Sequence, residues 1–254
     1  DGKALYFLAN ESDEPLVATI EFPEEGVAAV CDPEEGRLRP LISLRDHPAV
    51  VARLSLPPFG SLAVAFGQAP DTPALPQSYR PRLDLAVGWT LRPLRQYRVG
   101  GDDYESRDCH AAAVPAELGD WRPVLGDHFS GDAEYSLLFH WAGEPLPGAL
   151  LDLGLVRYAC DVELNGHPLG RRIWPPFSLP LGDSLRKGEN HLRVVVTNTL
   201  ANALCDPAVV ADWQRRRGPG WPADGHPYDA RAREFEAESL PSGLSGPVRI
   251  LVTQ

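Results

Sequence analysis

The carboxylates have the widest chemical reach in this sequence. Asp102, Asp103, Glu105 and Asp108 crowd one short stretch, and Asp120, Asp127, Asp132 and Glu134 crowd another. Two carboxyls held at a fixed separation can act as general acid and general base. Both runs, however, sit in polar, turn-like sequence beside Gly. Runs of charge usually face water, so we read them as solvated loop charge and assign no catalytic residue.

Other chemistries have less to work with. His110, His128, His140 and His167 show no zinc-ligand spacing, and Cys109 and His110 are adjacent rather than patterned. "SGLSGP" is not G-x-S-x-G, and its place before the last strand does not suit a nucleophile elbow. No Gly-rich loop opens a helix in the way that cradles phosphate. The four Cys, at 31, 109, 160 and 205, form no C-x-x-C and are too sparse for a disulfide framework. Cys160 lies in an alternating segment and reads as a buried free thiol. Asn10-Glu11-Ser12 matches a glycosylation acceptor pattern, which matters only in a eukaryotic secretory setting.

At 254 residues the chain has room for one large or two ordinary domains. Its net charge is -11, so a basic nucleic-acid-binding face is not expected, and the Arg215–Arg217 run does not change that. No apolar run is long enough to span a bilayer. The sequence contains no Met and opens "DGKALYFLAN", which we read as a processed or excised piece of a longer product.

The elements that must hold these residues read as strands. "PLVATIEF" puts Leu16, Ala18, Ile20 and Phe22 on one face, and "VVARLSL" and "SLAVAF" follow after turns rich in Pro and Gly. Residues 1–68 thus read as a small antiparallel β-sandwich, and the Pro-rich 69–81 as a linker. In the next domain, 82–254, Tyr135, Leu137, Phe139 and Trp141 share a face. So do Val156, Tyr158, Cys160, Val162 and Leu164. Asn165-Gly166 predicts a type I′ hairpin turn. Phe177 is expected to plug the core, and Gly188 and Asn190 to shape the next turn. Trp89, Trp121 and Trp141 read as core. "PAVVADWQRRR" is the best helix, with Asp206 as N-cap, inside a long irregular insertion at about 203–242. The fold class is all-β.

The order "GDAEYSLLFHW", "LLDLGLVRYACDVELNGHPLG", "WPPFSLPL", "LRKGENHLRVVVTN" resembles the galactose-binding-like jelly roll, the sugar-binding domain of many glycoside hydrolases. "TNTLANALCDP" with "SGLSGPVRILV" resembles the C-terminal part of glycoside hydrolase family 106, the α-L-rhamnosidase-like enzymes. "YFLANESDEPLVATIEF" and "CDPEEGRLRPL" resemble the small β domain that precedes it there.

The resemblance implies that the catalytic acids lie on a separate barrel upstream, for which this chain has no βα repeat. It implies a non-catalytic accessory region, with carbohydrate and the missing catalytic domain as partners, and no nucleic acid or membrane. The alternatives are an autonomous carbohydrate-binding module and a protein-interaction sandwich. Sugars favour an exposed ring beside polar groups, which points to Trp174 with Arg171 and Arg172. Trp213, Arg216, Trp221 and Tyr228 form a second candidate surface, for docking or ligand. No cofactor is expected. Jelly rolls of this type sometimes hold a structural Ca²⁺, for which the sequence specifies no ligands. A secreted or periplasmic parent is compatible with the resemblance.

Overall fold

A computed structural model describes residues 4–12, 14–33, 36–71, 79–100, 103–144, 146, 148–217 and 239–253, without the side chains of 213, 214, 216 and 217. The chain divides into two compact units, residues 1–79 and 80–254.

The first unit holds β1 (Leu5–Ala9), β2 (Leu16–Phe22), β3 (Ala28–Asp32), β4 (Arg37–Pro40), β5 (Val50–Leu56) and β6 (Ser61–Phe66). One sheet runs β1-β6-β3-β4, and β2 pairs β5 in the other. Period-two alternation along β5 buries Val50, Ala52, Leu54 and Leu56. Val50, Ala52 and Leu54 cluster with Phe22, Val64 and Phe66, and Tyr6 sets its ring edge-on to Phe22 and Phe66 at 5.1 and 5.8 Å.

Asn10 is buried just after β1. Its Nδ2 donates to the carbonyls of Glu14 at 2.8 Å and Pro57 at 2.9 Å, and its Oδ1 accepts from the Ser12 amide at 3.1 Å. A glycan on Nδ2 would break these bonds, so the acceptor pattern works here as a turn lock. Asp71, in the stretch read as a linker, bonds β4. Its amide donates to the Leu38 carbonyl and its Oδ1 accepts from the Leu38 amide.

The second unit opens with β7 (Tyr79–Asp84), β8 (Thr90–Gly100), β9 (Asp103–Asp108), β10 (Val114–Pro115) and α1 (Arg122–Leu125). It continues with β11 (Gly131–Trp141), β12 (Leu150–Asp152), β13 (Leu155–Arg157), β14 (Ala159–Leu164), β15 (His167–Arg172) and β16 (Ser178–Pro180). It closes with β17 (Gly188–Thr197), α2 (Ala201–Leu204), α3 (Pro207–Arg217), β18 (Gly243–Gly246) and β19 (Arg249–Thr253). The larger sheet runs β10-β8-β11-β17-β14-β15 with β9 added along β8, and the facing sheet runs β16-β12-β19-β7. The paired strands are antiparallel.

The strand β7 corrects the linker reading, which extended to residue 81. Pro81 tolerates strand geometry there because β7 stands at the edge of its sheet, beside β19, among the described residues. The acidic stretch around Asp103 is likewise a strand, β9, and not a turn. Its pairing with β8, from Arg95↔Asp108 to Gly100↔Asp103, is a contact that charge composition does not reveal.

The core lies between the two sheets. Tyr135, Leu137 and Trp141 of β11, Cys160, Val162 and Leu164 of β14, and Leu192, Val194 and Val196 of β17 supply one side. Leu151, Leu179, Ile250 and Val252 supply the other. Trp89, Trp121 and Trp141 are buried as expected, as is Phe177. Gly131 allows β11 to approach β8, since its φ is +152° and a Cβ there would sit 1.9 Å from the Arg95 carbonyl oxygen.

The Asn-Gly turn takes the expected form, with φ of 56° at Asn165 and 81° at Gly166. Asn165 also reaches beyond the turn. Its Nδ2 donates to the Ser184 carbonyl and to Asn190 Oδ1, both at 2.8 Å, and its Oδ1 accepts from the His191 amide at 2.9 Å. Asn190 is fully buried; it donates to the carbonyls of Arg186 and Gly188, and its Oδ1 also accepts from the Arg186 amide. The two amides therefore bind the β14–β15 turn to the start of β17.

The helix α3 begins as read, with Pro207 first and Asp206 Oδ1 accepting from the Ala208 amide at 2.8 Å. Within the stretch read as irregular from 203, Pro207–Arg217 is the helix read from the sequence and Ala201–Leu204 forms a short helix before it. Residues 218–238 lie outside the described residues.

Replacing Asn190 with Ala leaves the Asn165 amide and the Arg186 backbone without their partner. The expected cost is about 2–3 kcal/mol, from buried polar groups left unpaired. Urea unfolding checks it; a loss under about 0.5 kcal/mol would contradict this role.

Candidate functional site

Strand alternation gives the larger sheet an outer face as well as a core face. Along β11 the outward positions are Asp132, Glu134, Ser136 and Leu138; along β17 they are His191, Arg193, Val195 and Thr197. Among the described residues Glu134 is the buried acid of the chain, at 5% exposure. Its Oε1 accepts from Arg92 Nε at 2.9 Å, and its Oε2 accepts from Arg193 Nε at 3.0 Å and Nη2 at 2.5 Å. Arg193 Nη1 reaches on to both Glu163 oxygens, at 3.0 and 3.1 Å. The result is an alternating ladder across β8, β11, β17 and β14.

Burial alone would raise the Glu134 carboxyl, but the hydrogen bonds and charges of Arg92 and Arg193 outweigh it and hold it below its ordinary value. Arg193 is correspondingly raised by Glu134. A carboxylate held this way stays charged and gives up no proton, so it is poorly suited to act as a general acid. The reading of Glu134 as solvated loop charge is corrected here. Its partners lie 42 and 59 residues away in sequence.

A second polar row runs beside the ladder. Tyr97 Oη donates to both Asp132 oxygens at 3.4 Å, and Thr197 Oγ1 donates to Asp132 Oδ1 at 2.7 Å. Arg95 pairs with Asp108 at 3.5 Å, and Arg171 with Asp161 through two bonds of 2.9 Å. Tyr104 of β9 sets its ring edge-on to Tyr97 at 6.4 Å. Ser136 Oγ lies 2.7 Å from His191 Nε2 on the same face.

Trp174 lies past the end of β15 and is half-exposed, at 48%. Arg171, three residues earlier, is engaged with Asp161; Arg172 donates from Nε to the Ser178 carbonyl and from Nη1 to the Arg171 carbonyl. The Trp213 and Arg216 side chains, and all of Trp221 and Tyr228, lie outside the described residues. Both ends of the chain around them are tied down. Asn198 and Asn202 each donate to Ser242 Oγ, at 3.0 and 3.3 Å, and Asn202 Nδ2 donates to the Leu240 carbonyl at 2.9 Å. Arg122 donates to the Ser239 carbonyl and hydroxyl.

The remaining chemistry is muted. Burial pushes the Cys160 thiol up to about 12, which makes it a packing residue and not a nucleophile. Among the described residues no three His, Cys, Asp or Glu side chains group as a metal site, and no helix is long and apolar enough to cross a membrane.

Each of the two units is all-β, and the larger carries a jelly-roll-like sheet pair with a charged outer face. The chain is similar, over 97% of its length, to a rhamnosidase from Novosphingobium sp. PP1Y, with 25% identity, a TM-score of 0.65, and 22% of that enzyme covered. It is 34% identical over 156 residues to a protein provisionally named beta-glucuronidase from Formosa agariphila, covering 54% of this chain and 13% of the relative. The chain therefore spans under a quarter of either protein's length. No family model matches it.

Because the folded Glu134 carboxyl is held low, it stabilises the fold above the unfolded value of about 4.3. That contribution is lost as pH falls through the lowered folded value. Wild-type stability should therefore drop below about pH 4.5, and Glu134→Gln should be less stable at pH 7 by about 1–3 kcal/mol, with a flatter acid limb. Urea midpoints from pH 3 to 7 check this; parallel acid limbs would contradict it.

Proposed function

We propose that this chain is a non-catalytic accessory region of a glycoside hydrolase, two β units that support a catalytic domain lying on other polypeptide and hold carbohydrate. One observation carries the reading: the likeness to the Novosphingobium rhamnosidase takes in nearly all of this chain and about a fifth of that enzyme. The state of Glu134 supports it. This buried acid is committed to two Arg, whereas glycoside hydrolysis needs a pair of carboxyls across the scissile bond, one of them able to give a proton.

A second reading, an autonomous carbohydrate-binding module, is favoured by Trp174. Its half-exposed ring lies three residues from an Arg–Asp pair that can bond sugar hydroxyls.

The test is a hydrolysis assay of the purified chain on nitrophenyl rhamnosides, galactosides and glucuronides. No turnover above the buffer blank is expected. Turnover that tracks the purified chain, and falls on mutation of one of its acids, would overturn the non-catalytic assignment.

A further inference from the structure

The polar row on the outer face has a composition that hydrolase support does not require. It begins on β9, where Tyr104 leaves 59% of its surface in water. It passes through the Tyr97 ring and hydroxyl to Asp132 on β11 and Thr197 on β17, then reaches the Asp161–Arg171 pair on β14 and β15. Asp132 and Arg171 also feel one another electrostatically. The Arg95–Asp108 pair flanks the tyrosines. These residues span neighbouring strands from β9 to β15, about 24 Å at ~4.8 Å per strand.

Three features of the row suit one ligand chemistry. The Tyr104 ring offers an apolar surface against which a pyranose C–H face can stack. Asp132, which accepts from the Tyr97 and Thr197 hydroxyls, and the Arg95–Asp108 and Arg171–Asp161 pairs offer acceptors and donors for hydroxyl groups. Three carboxylates, Asp108, Asp132 and Asp161, face two guanidiniums, Arg95 and Arg171, so the row carries a slight negative excess. That balance disfavours an anionic sugar and favours a neutral one. The length across the strands suits an oligosaccharide more than a single ring.

We propose that the row from Tyr104 through Tyr97 and Asp132 to Arg171 is a binding site for a neutral oligosaccharide. Tyr104 supplies the stacking platform, Asp132 the central acceptor, and the two Arg–Asp pairs the flanking hydroxyl contacts. The proposal rests on the carbohydrate part of the functional reading and places it on the sheet face, away from the Trp174 loop. Docking of another protein domain on this face is the competing occupant. The acids along the row, Asp108, Asp132 and Asp161, speak against it, since the core of a protein interface is depleted of charged carboxylates.

The test is calorimetric titration of the whole chain with a rhamno-oligosaccharide, a galacto-oligosaccharide and a glucuronate-containing disaccharide. Wild type is expected to bind at least one neutral probe with a dissociation constant of about 1 mM or tighter, and the acidic disaccharide more weakly. Tyr104→Ala and Asp132→Asn should each weaken that binding about tenfold or more. Tyr104 is exposed, so its variant should keep the wild-type urea midpoint and separate lost binding from lost folding. Trp174→Ala should bind as wild type does. Failure of wild type to bind either neutral probe overturns the site. So does unchanged affinity in Tyr104→Ala. If Trp174→Ala alone loses binding, the sheet-face site fails while the carbohydrate reading stands.

Discussion

The pairing of β11 with β17 in a single register is the constraint on which the second unit depends. It runs without a break from Asp132↔Thr197 to Trp141↔Gly188. Side chains alternate along both strands, so this register decides which residues form the core and which form the outer face. A slip of β11 by one residue would turn Tyr135 and Leu137 to water and drive Glu134 inward. The apolar set prevents it, because every member is buried against the facing sheet.

The charged ladder is a consequence of that register and also reinforces it. Arg92, Glu134, Arg193 and Glu163 come from four strands and meet only when the strands are aligned. Removing Arg92 or Arg193 is costlier than the pair is stabilising, since the buried Glu134 charge then loses a partner. The ladder therefore acts more as a penalty on misalignment than as a source of stability. The same alignment brings Tyr97, Asp132, Thr197, Asp161 and Arg171 into one row, so the candidate recognition surface and the core share one cause.

Much of this was legible in the sequence, and the boundary between what was and was not is physical. Period-two alternation in "AEYSLLFHW" is local, and it located the core face of β11. In "LVRYACDVEL" it located the core face of β14 at Cys160, Val162 and Leu164, but the segment is two strands, β13 paired with β18 and β14 paired with β17, and Tyr158 lies between them. The turn at Asn165-Gly166 and the cap at Asp206 were readable for the same reason, since their chemistry lies within a few residues. Cross-strand partners are not local. Glu134 looked like one more solvated acid because Arg92 and Arg193 are far along the chain, and Asp103–Asp108 looked like a turn because β8, its pairing partner, leaves no mark on its composition. The role of Asn10 was hidden for the same reason: its acceptor pattern is local, while the Pro57 carbonyl that engages its amide is distant. Tyr104 and Tyr97 gave no signal at all, since two tyrosines in different strands become a surface only after pairing.

β11 and β17 should form the most stable part of the second unit, with the outer strands hung upon them. Site-resolved amide hydrogen exchange of the whole chain tests it directly. The β11 and β17 amides should exchange slowest and together, through the same opening, while those of β9 and β15 exchange earlier. Exchange from β11 as fast as from the edge strand β9, or β11 and β17 opening independently of one another, would contradict it.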